Sequence, residues 1–355
     1  MTWRAQRQHL TSRLPAARLT DVVSRLAGVQ AQLLSSVQLA LWARTDGLDR
    51  EALTDALWRR RSLVKLWGMR GTLHVLPTDE LATWLAAFGT YRGYGMDDAR
   101  VRTLVEHVGA ALDEAPLTRA GLADAVLARS GSAELAGMVA GSWGLYLKPV
   151  AFRGQLCFAD GDGTLVRFST PARWTGAPVD PVAPATALRR VARRFLAAHG
   201  PATEVDLARW WGVGHGQSRR MLQLLGDEVR QVRVAATPAW ALAEHLDSLV
   251  STEPTARVHL LPAFDQLTLT APRDERAVLP APRARVFRDQ GWVSPVLLRG
   301  GRVAGVWRHR ATTRRLTVEL EPFARWGVRA RATTEREVER LASFLGGSLT
   351  VTWLR

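Results

Sequence analysis

At 355 residues the chain is longer than one hydrophobic core usually organises, so two or three modules are expected, and 47% apolar against 23% charged residues excludes wholesale disorder. The formal net charge is +15, and because Lys65 and Lys148 are the only lysines, 46 of the 48 basic side chains are arginine. That surplus of cations points to a polyanionic partner, nucleic acid before a membrane surface, since each arginine set near a phosphate releases condensed counterions.

In chain order, the first expected helix covers 20–27, capped by Thr20 and ended by Gly28. A second spans 35–43, and 49–58 carries apolar residues at helical spacing. The segment 66–75 then reads as strands around a glycine turn, before Pro77 opens another helix. The pattern returns with a Thr118-capped helix over 117–126, a helix over 136–147, and strands at 154–158 and 165–168 joined by a turn at 160–163; 178–184 reads as a linker. A third round takes helices over 187–199, 203–211 and 217–225, with a turn at 212–216. From about residue 229 onward the chain reads as strands, at 257–261, 293–298, 302–307 and 316–320, with Gly300-Gly301 as a two-residue hairpin signal.

Helices followed by a β-hairpin, repeated, is the grammar of the winged-helix form of helix-turn-helix. The expectation is therefore an α+β protein of three tandem winged-helix units, 1–110, 111–180 and 185–355, the last including a β-rich C-terminal part. Periodicity alone leaves a generic α+β fold open.

Chemistry is constrained by what is scarce. Cys157 is the only cysteine, which excludes an internal disulfide and a thiolate metal cage, and the eight histidines show no paired ligand spacing, so neither metal nor cofactor is expected. The carboxylates a two-metal nuclease needs are not clustered. No apolar run of about eighteen residues is present to cross a bilayer, and residues 1–10 lack the apolar centre of a signal peptide, so a cytoplasmic protein without membrane contact is expected.

Gly28-Val-Gln-Ala-Gln32 lies between the first two expected helices. In an extended segment residues two apart project from the same side, so Gln30 and Gln32 can share a task that a helix would deny them. Amides are poor bases, but they orient water and place a carbonyl dipole near developing positive charge. The residues alone leave open that both glutamines merely cap helix ends.

Five segments, Gly28-Val-Gln-Ala-Gln32, Leu39-Ala-Leu-Trp-Ala-Arg44, Leu66-Trp-Gly-Met-Arg-Gly-Thr-Leu-His74, Leu260-Leu-Pro-Ala-Phe-Asp-Gln266 and Gly291-Trp-Val-Ser-Pro-Val296, occur in an order that resembles the AlkZ-like winged-helix DNA glycosylases. The resemblance implies a monomeric, C-shaped scaffold of three winged-helix units that cradles duplex DNA and hydrolyses the N-glycosidic bond of alkylated purines. It also makes Gln30 and Gln32 the catalytic pair. Glutamine rather than aspartate at the second position resembles the branch linked to antibiotic self-resistance and to unhooking of interstrand crosslinks.

An N7-alkylated purine is already cationic and leaves as a neutral base, so two amides that position water suffice at an oxocarbenium-like transition state. Lys65 and Lys148 are expected at a surface or strand end; with no other amine for a Schiff base, simple hydrolysis without strand cleavage follows. Candidate DNA contacts are Arg59, Arg60 and Arg61, Arg299 and Arg302 beside the Gly300-Gly301 tip, and Arg308, Arg310 and Arg314. A solvated charged face is the plain alternative for each. His74 and Asp265 are candidates to line the site, against the plainer roles of a strand-end histidine and a loop-fixing aspartate. The tryptophans read as core. A winged-helix transcriptional regulator without catalytic activity is the rival function.

Overall fold

The computed structural model describes residues 1–96, 98–141, 144–161, 165–273, 277 and 282–354, as a mixed α+β protein. The chain forms two compact units, neither of them continuous in sequence. One comprises 1–53, 194–206 and 227–355; the other comprises 54–193 and 207–226. This division departs from the three contiguous stretches expected, because strands near the C-terminus find their core partners in the first fifty residues.

The first unit is organised by a five-stranded sheet, in the order Val258–Leu261, Val296–Arg299, Arg302–Ala311, Arg315–Pro322 and Ser348–Trp353. The first four strands are antiparallel neighbours and the last runs parallel to its partner. A parallel step needs a crossover, and the helix Val328–Leu345 supplies it. Strands alone are expected from about residue 229 onward, so this helix corrects that expectation. Its buried residues Thr334, Val338 and Leu341 recur at helical spacing within a run of arginines and glutamates.

Against this sheet pack Leu39, Trp42 and Ala43 from the helix Leu34–Trp42 and its end, together with Ala5 and Leu10. Trp42 stacks on Phe344, and the Arg340 guanidinium lies 3.7 Å from the Trp42 ring. Gly300 and Gly301, with φ of +58° and +79°, form the expected two-residue turn between Arg299 and Arg302. A Cβ on Gly301 would stand 2.8 Å from the Thr2 nitrogen, so this tip packs onto the chain's first residues. The hairpin Val229–Val234/Thr237–Leu242 belongs to the same unit.

In the second unit the segment 63–77 forms the expected antiparallel pair, Leu63–Trp67 with Leu73–Pro77, turned by Met69–Gly71. Lys65 is therefore mid-strand and half-buried, not at a strand end. An aromatic cluster of Trp84, Phe88, Tyr91, Phe152 and Trp211 fills the centre, with Phe88 and Trp211 stacked at 5.3 Å. The Thr118 hydroxyl accepts the Gly121 N–H, as a capping threonine should, and opens the helix Arg119–Ser130. The single helix expected over 136–147 is instead two, Ala133–Ala140 and Leu147–Phe152, since Gly141 turns extended at the first one's end. Cys157–Ala159 and Arg167–Ser169 pair antiparallel; the turn expected at 160–163 lies partly outside the described residues.

Candidate active site

The helix Leu19–Arg25 stops at Leu26 because the next two residues are left-handed, Ala27 at φ +56° and Gly28 at +89°. Ala27 and Gly28 donate back to the Ser24 and Val23 carbonyls, both at 3.0 Å, which closes the helix end. The strand Val29–Gln30 follows, and the chain then bends at Gln32 and Leu33, the latter at φ −123°, ψ 118°. The Leu33 carbonyl accepts from Ser36 at 3.0 Å and starts the helix Leu34–Trp42. Thus 27–33 is a short non-helical bridge between two helices, extended at Val29–Gln30, as Gly28 implies.

Leu26, Ala27, Val29 and Ala31 are fully buried and anchor the bridge. The two amides differ: Gln30 is only 6% exposed, whereas Gln32 stands exposed. One amide is thus enclosed by protein and the other faces solvent, where a substrate and a water can reach it. Beside Leu33, Ser35 and Ser36 lies a cleft of about 600 Å³, walled by Trp292 and Trp307 and rimmed by Arg285, Arg288 and Arg308.

His74 and Asp265, the candidate lining residues, both lie inside the protein. The His74 ring is fully buried, with Nδ1 3.1 Å from the Thr72 carbonyl and no partner for Nε2. Burial, helped by the Arg70 guanidinium, pushes its pKa down to about 3, so it is a neutral core histidine. The Asp265 carboxylate is taken up by Arg44, through contacts of 2.7 and 2.9 Å, and accepts the Leu267 N–H at 3.0 Å as the cap of the helix Gln266–Leu269. Neither side chain is presented to an open site.

The candidate DNA-contacting arginines are all exposed but unequally free. Arg60 pairs with Asp55 and Arg308 with Glu319. Arg61 lies over Trp174 at 4.4 Å and Arg299 over Trp326 at 5.4 Å. Arg59, Arg302, Arg310 and Arg314 have no carboxylate partner among the described residues. Arg310 and Arg314 crown the far end of the hairpin Arg302–Ala311/Arg315–Pro322, where every residue from 308 to 315 is exposed. The Gly300-Gly301 tip, packed on residues 1 and 2, is the less accessible of the two hairpin ends.

Both lysines are half-buried, Lys65 lying 4.8 Å from the Phe158 ring and Lys148 5.4 Å from Tyr94, and burial lowers the pKa of each. Among the described residues no group of three or more His, Cys, Asp or Glu is placed to hold a metal ion, and no helix is long and apolar enough to cross a membrane.

A mixed α+β scaffold with a non-helical Gln-Ala-Gln bridge held between two helices defines a class. The family described as "DNA glycosylase AlkZ-like" matches residues 23–344. The chain is 36% identical over 320 residues to an interstrand DNA cross-link repair glycosylase of Streptomyces sahachiroi, covering 86% of this chain and 85% of that protein. The solved structure of the Streptomyces sahachiroi DNA glycosylase AlkZ superposes with a TM-score of 0.88 at 33% identity, over 99% of this chain and 98% of that one. The chain belongs to the AlkZ-like family of DNA glycosylases.

Proposed function

We propose that this enzyme hydrolyses the N-glycosidic bond of cationic, N7-alkylated purines in duplex DNA, with Gln30 and Gln32 as the catalytic pair. The observation that carries this reading is the non-helical bridge 27–33, which bears an enclosed Gln30 and an exposed Gln32 in a family member. The C1′–N9 bond breaks with its electron pair passing to the base. The positive charge of an N7-alkylated ring makes that base neutral on departure. The amide carbonyls orient a water toward C1′ and place negative dipole near the oxocarbenium charge. The water oxygen bonds to C1′, its proton passes to solvent, and an abasic strand and a free base result.

Exposed arginines of each unit bind the duplex in this reading, Arg59 in the second unit and Arg310 and Arg314 in the first being the readiest phosphate contacts, with Arg302 beside the more covered tip. The repeated order of helices followed by a hairpin supports winged-helix units that bind duplex DNA. The relative from Streptomyces sahachiroi, named for interstrand crosslink repair, supports crosslinked lesions as substrates.

Duplex DNA carrying N7-methylguanine or a bulky guanine adduct tests the reading. Free base is expected with the wild type and lost in Gln30→Ala and Gln32→Ala, while duplex binding is kept. Comparable release of uncharged uracil or hypoxanthine contradicts the charge argument.

A further inference from the structure

The bridge 27–33 is flanked by two helices, and one buried hydrogen-bonded chain holds both of them. Asp265, bound to Arg44 as described, fixes the guanidinium at the end of the helix Leu34–Trp42, where Arg44 Nη1 also donates to the Ala40 carbonyl at 3.0 Å. Arg44 Nη2 donates to Gln8 Oε1 at 3.2 Å. The Gln8 amide nitrogen has two hydrogens and two acceptors, the Ala198 carbonyl and His199 Nδ1, each at 3.1 Å. On its other side His199 Nε2 lies 3.2 Å from the carbonyl of Leu26, the residue at which the preceding helix ends.

The direction of each bond is fixed by the groups themselves. Arginine only donates, so Gln8 must turn its oxygen to Arg44 and its nitrogen to His199. Thr270 Oγ1, also 3.1 Å from Nδ1, can turn its hydrogen either to Nδ1 or to the Gln266 carbonyl at 2.7 Å, so the Gln8 N–H decides the role of Nδ1. Nδ1 is therefore the acceptor and Nε2 carries the hydrogen, aimed at Leu26. Gln8, Arg44, His199 and Asp265 are all between 0% and 1% exposed, and a half-satisfied network at that depth is costly.

We propose that His199, in its Nε2–H form, is a positioning residue for base excision. By gripping the Leu26 carbonyl it fixes where the chain leaves the helix Leu19–Arg25, and so where Gln30 and Gln32 point; Gln8, Arg44 and Asp265 hold the imidazole in that tautomer. This rests on Gln30 and Gln32 being the catalytic pair.

The test uses the full chain with two readouts: single-turnover release of N7-methylguanine from duplex DNA, and hydrogen–deuterium exchange of peptides spanning 26–33. His199→Leu is expected to slow release roughly ten- to hundred-fold, the scale of a misaligned catalytic group, with duplex affinity unchanged. The same variant is expected to speed exchange at 26–33. His199→Gln, whose amide can still donate to Leu26, is expected to restore most of the rate and the slow exchange. Where His199→Leu does not fold, Gln8→Met, which removes the donor to Nδ1 but keeps volume, takes its place with the same expectations. Unchanged release, with or without faster exchange, overturns the proposal. So does release lost equally in His199→Leu and His199→Gln. Faster exchange together with undiminished release by Gln30→Ala and Gln32→Ala instead removes the catalytic reading of the pair and leaves the clamp on Leu26 standing.

Discussion

Arg44 and Asp265 are 221 residues apart in sequence and meet as a two-pronged ion pair, 2.7 and 2.9 Å long, with no exposed surface on either side chain. Removing one partner leaves a buried charge without compensation, which costs about 3–5 kcal/mol. Asp265→Ala is therefore expected to lose stability on that scale in urea unfolding followed by tryptophan fluorescence. A loss below about 1 kcal/mol shows that water reaches the guanidinium.

Stability is expected to fall on mild acidification. Burial pushes His74 down to about 3 and His259 down to about 4, while the unfolded chain titrates near 6.5. Between those limits the unfolded state binds more protons, so the contribution is complete above about pH 6.5 and is lost as pH drops toward 4 and 3. Each histidine contributes a slope of up to about 1.4 kcal/mol per pH unit. His259→Leu should flatten the pH dependence of urea unfolding between pH 6 and 4.5; a slope equal to wild type contradicts the assignment.

The arginines should separate by salt dependence. Each phosphate contact adds about 0.9 to the slope of log affinity against log salt. Arg310→Ala with Arg314→Ala is expected to flatten that slope by about 2 in anisotropy titrations with undamaged duplex. Arg60→Ala and Arg308→Ala should do less, because Asp55 and Glu319 already hold those cations.

Strand cleavage is not expected. Lys65 and Lys148, though made easier to deprotonate by burial, face the rings of Phe158 and Tyr94. Borohydride should trap no protein–DNA adduct, and the product strand should stay intact until alkali is added. An adduct lost in Lys65→Met would overturn this.

Much of the architecture was legible where one residue type dictates one conformation. Gly28 announced the helix stop and the non-helical bridge, Thr118 the helix start, and Gly300-Gly301 the tight turn, because caps and left-handed turns depend on a few side chains. The helix Val328–Leu345 was missed because its buried stripe is narrow and interrupted by charge. Gln30 and Gln32 were visible only as an i, i+2 pair, and nothing in spacing tells that one is enclosed and the other exposed. Asp265 is the buried cap of Gln266–Leu269, while its partner Arg44 sits in another motif, and no local pattern joins residues so far apart. His199 gave no signal at all, since its role depends on Gln8 and Leu26 arriving from elsewhere in the chain.

The discontinuity of the first unit has a consequence for biosynthesis. Arg44 leaves the ribosome 221 residues ahead of Asp265, and at about 5–20 residues per second that interval is on the order of ten to forty seconds. By the end of that interval all of 54–226 has been made, while throughout it the N-terminal segment has neither its ion-pair partner nor the full sheet it packs on. The segment 27–33 therefore waits without its finished unit until the last strand, Ser348–Trp353, is released.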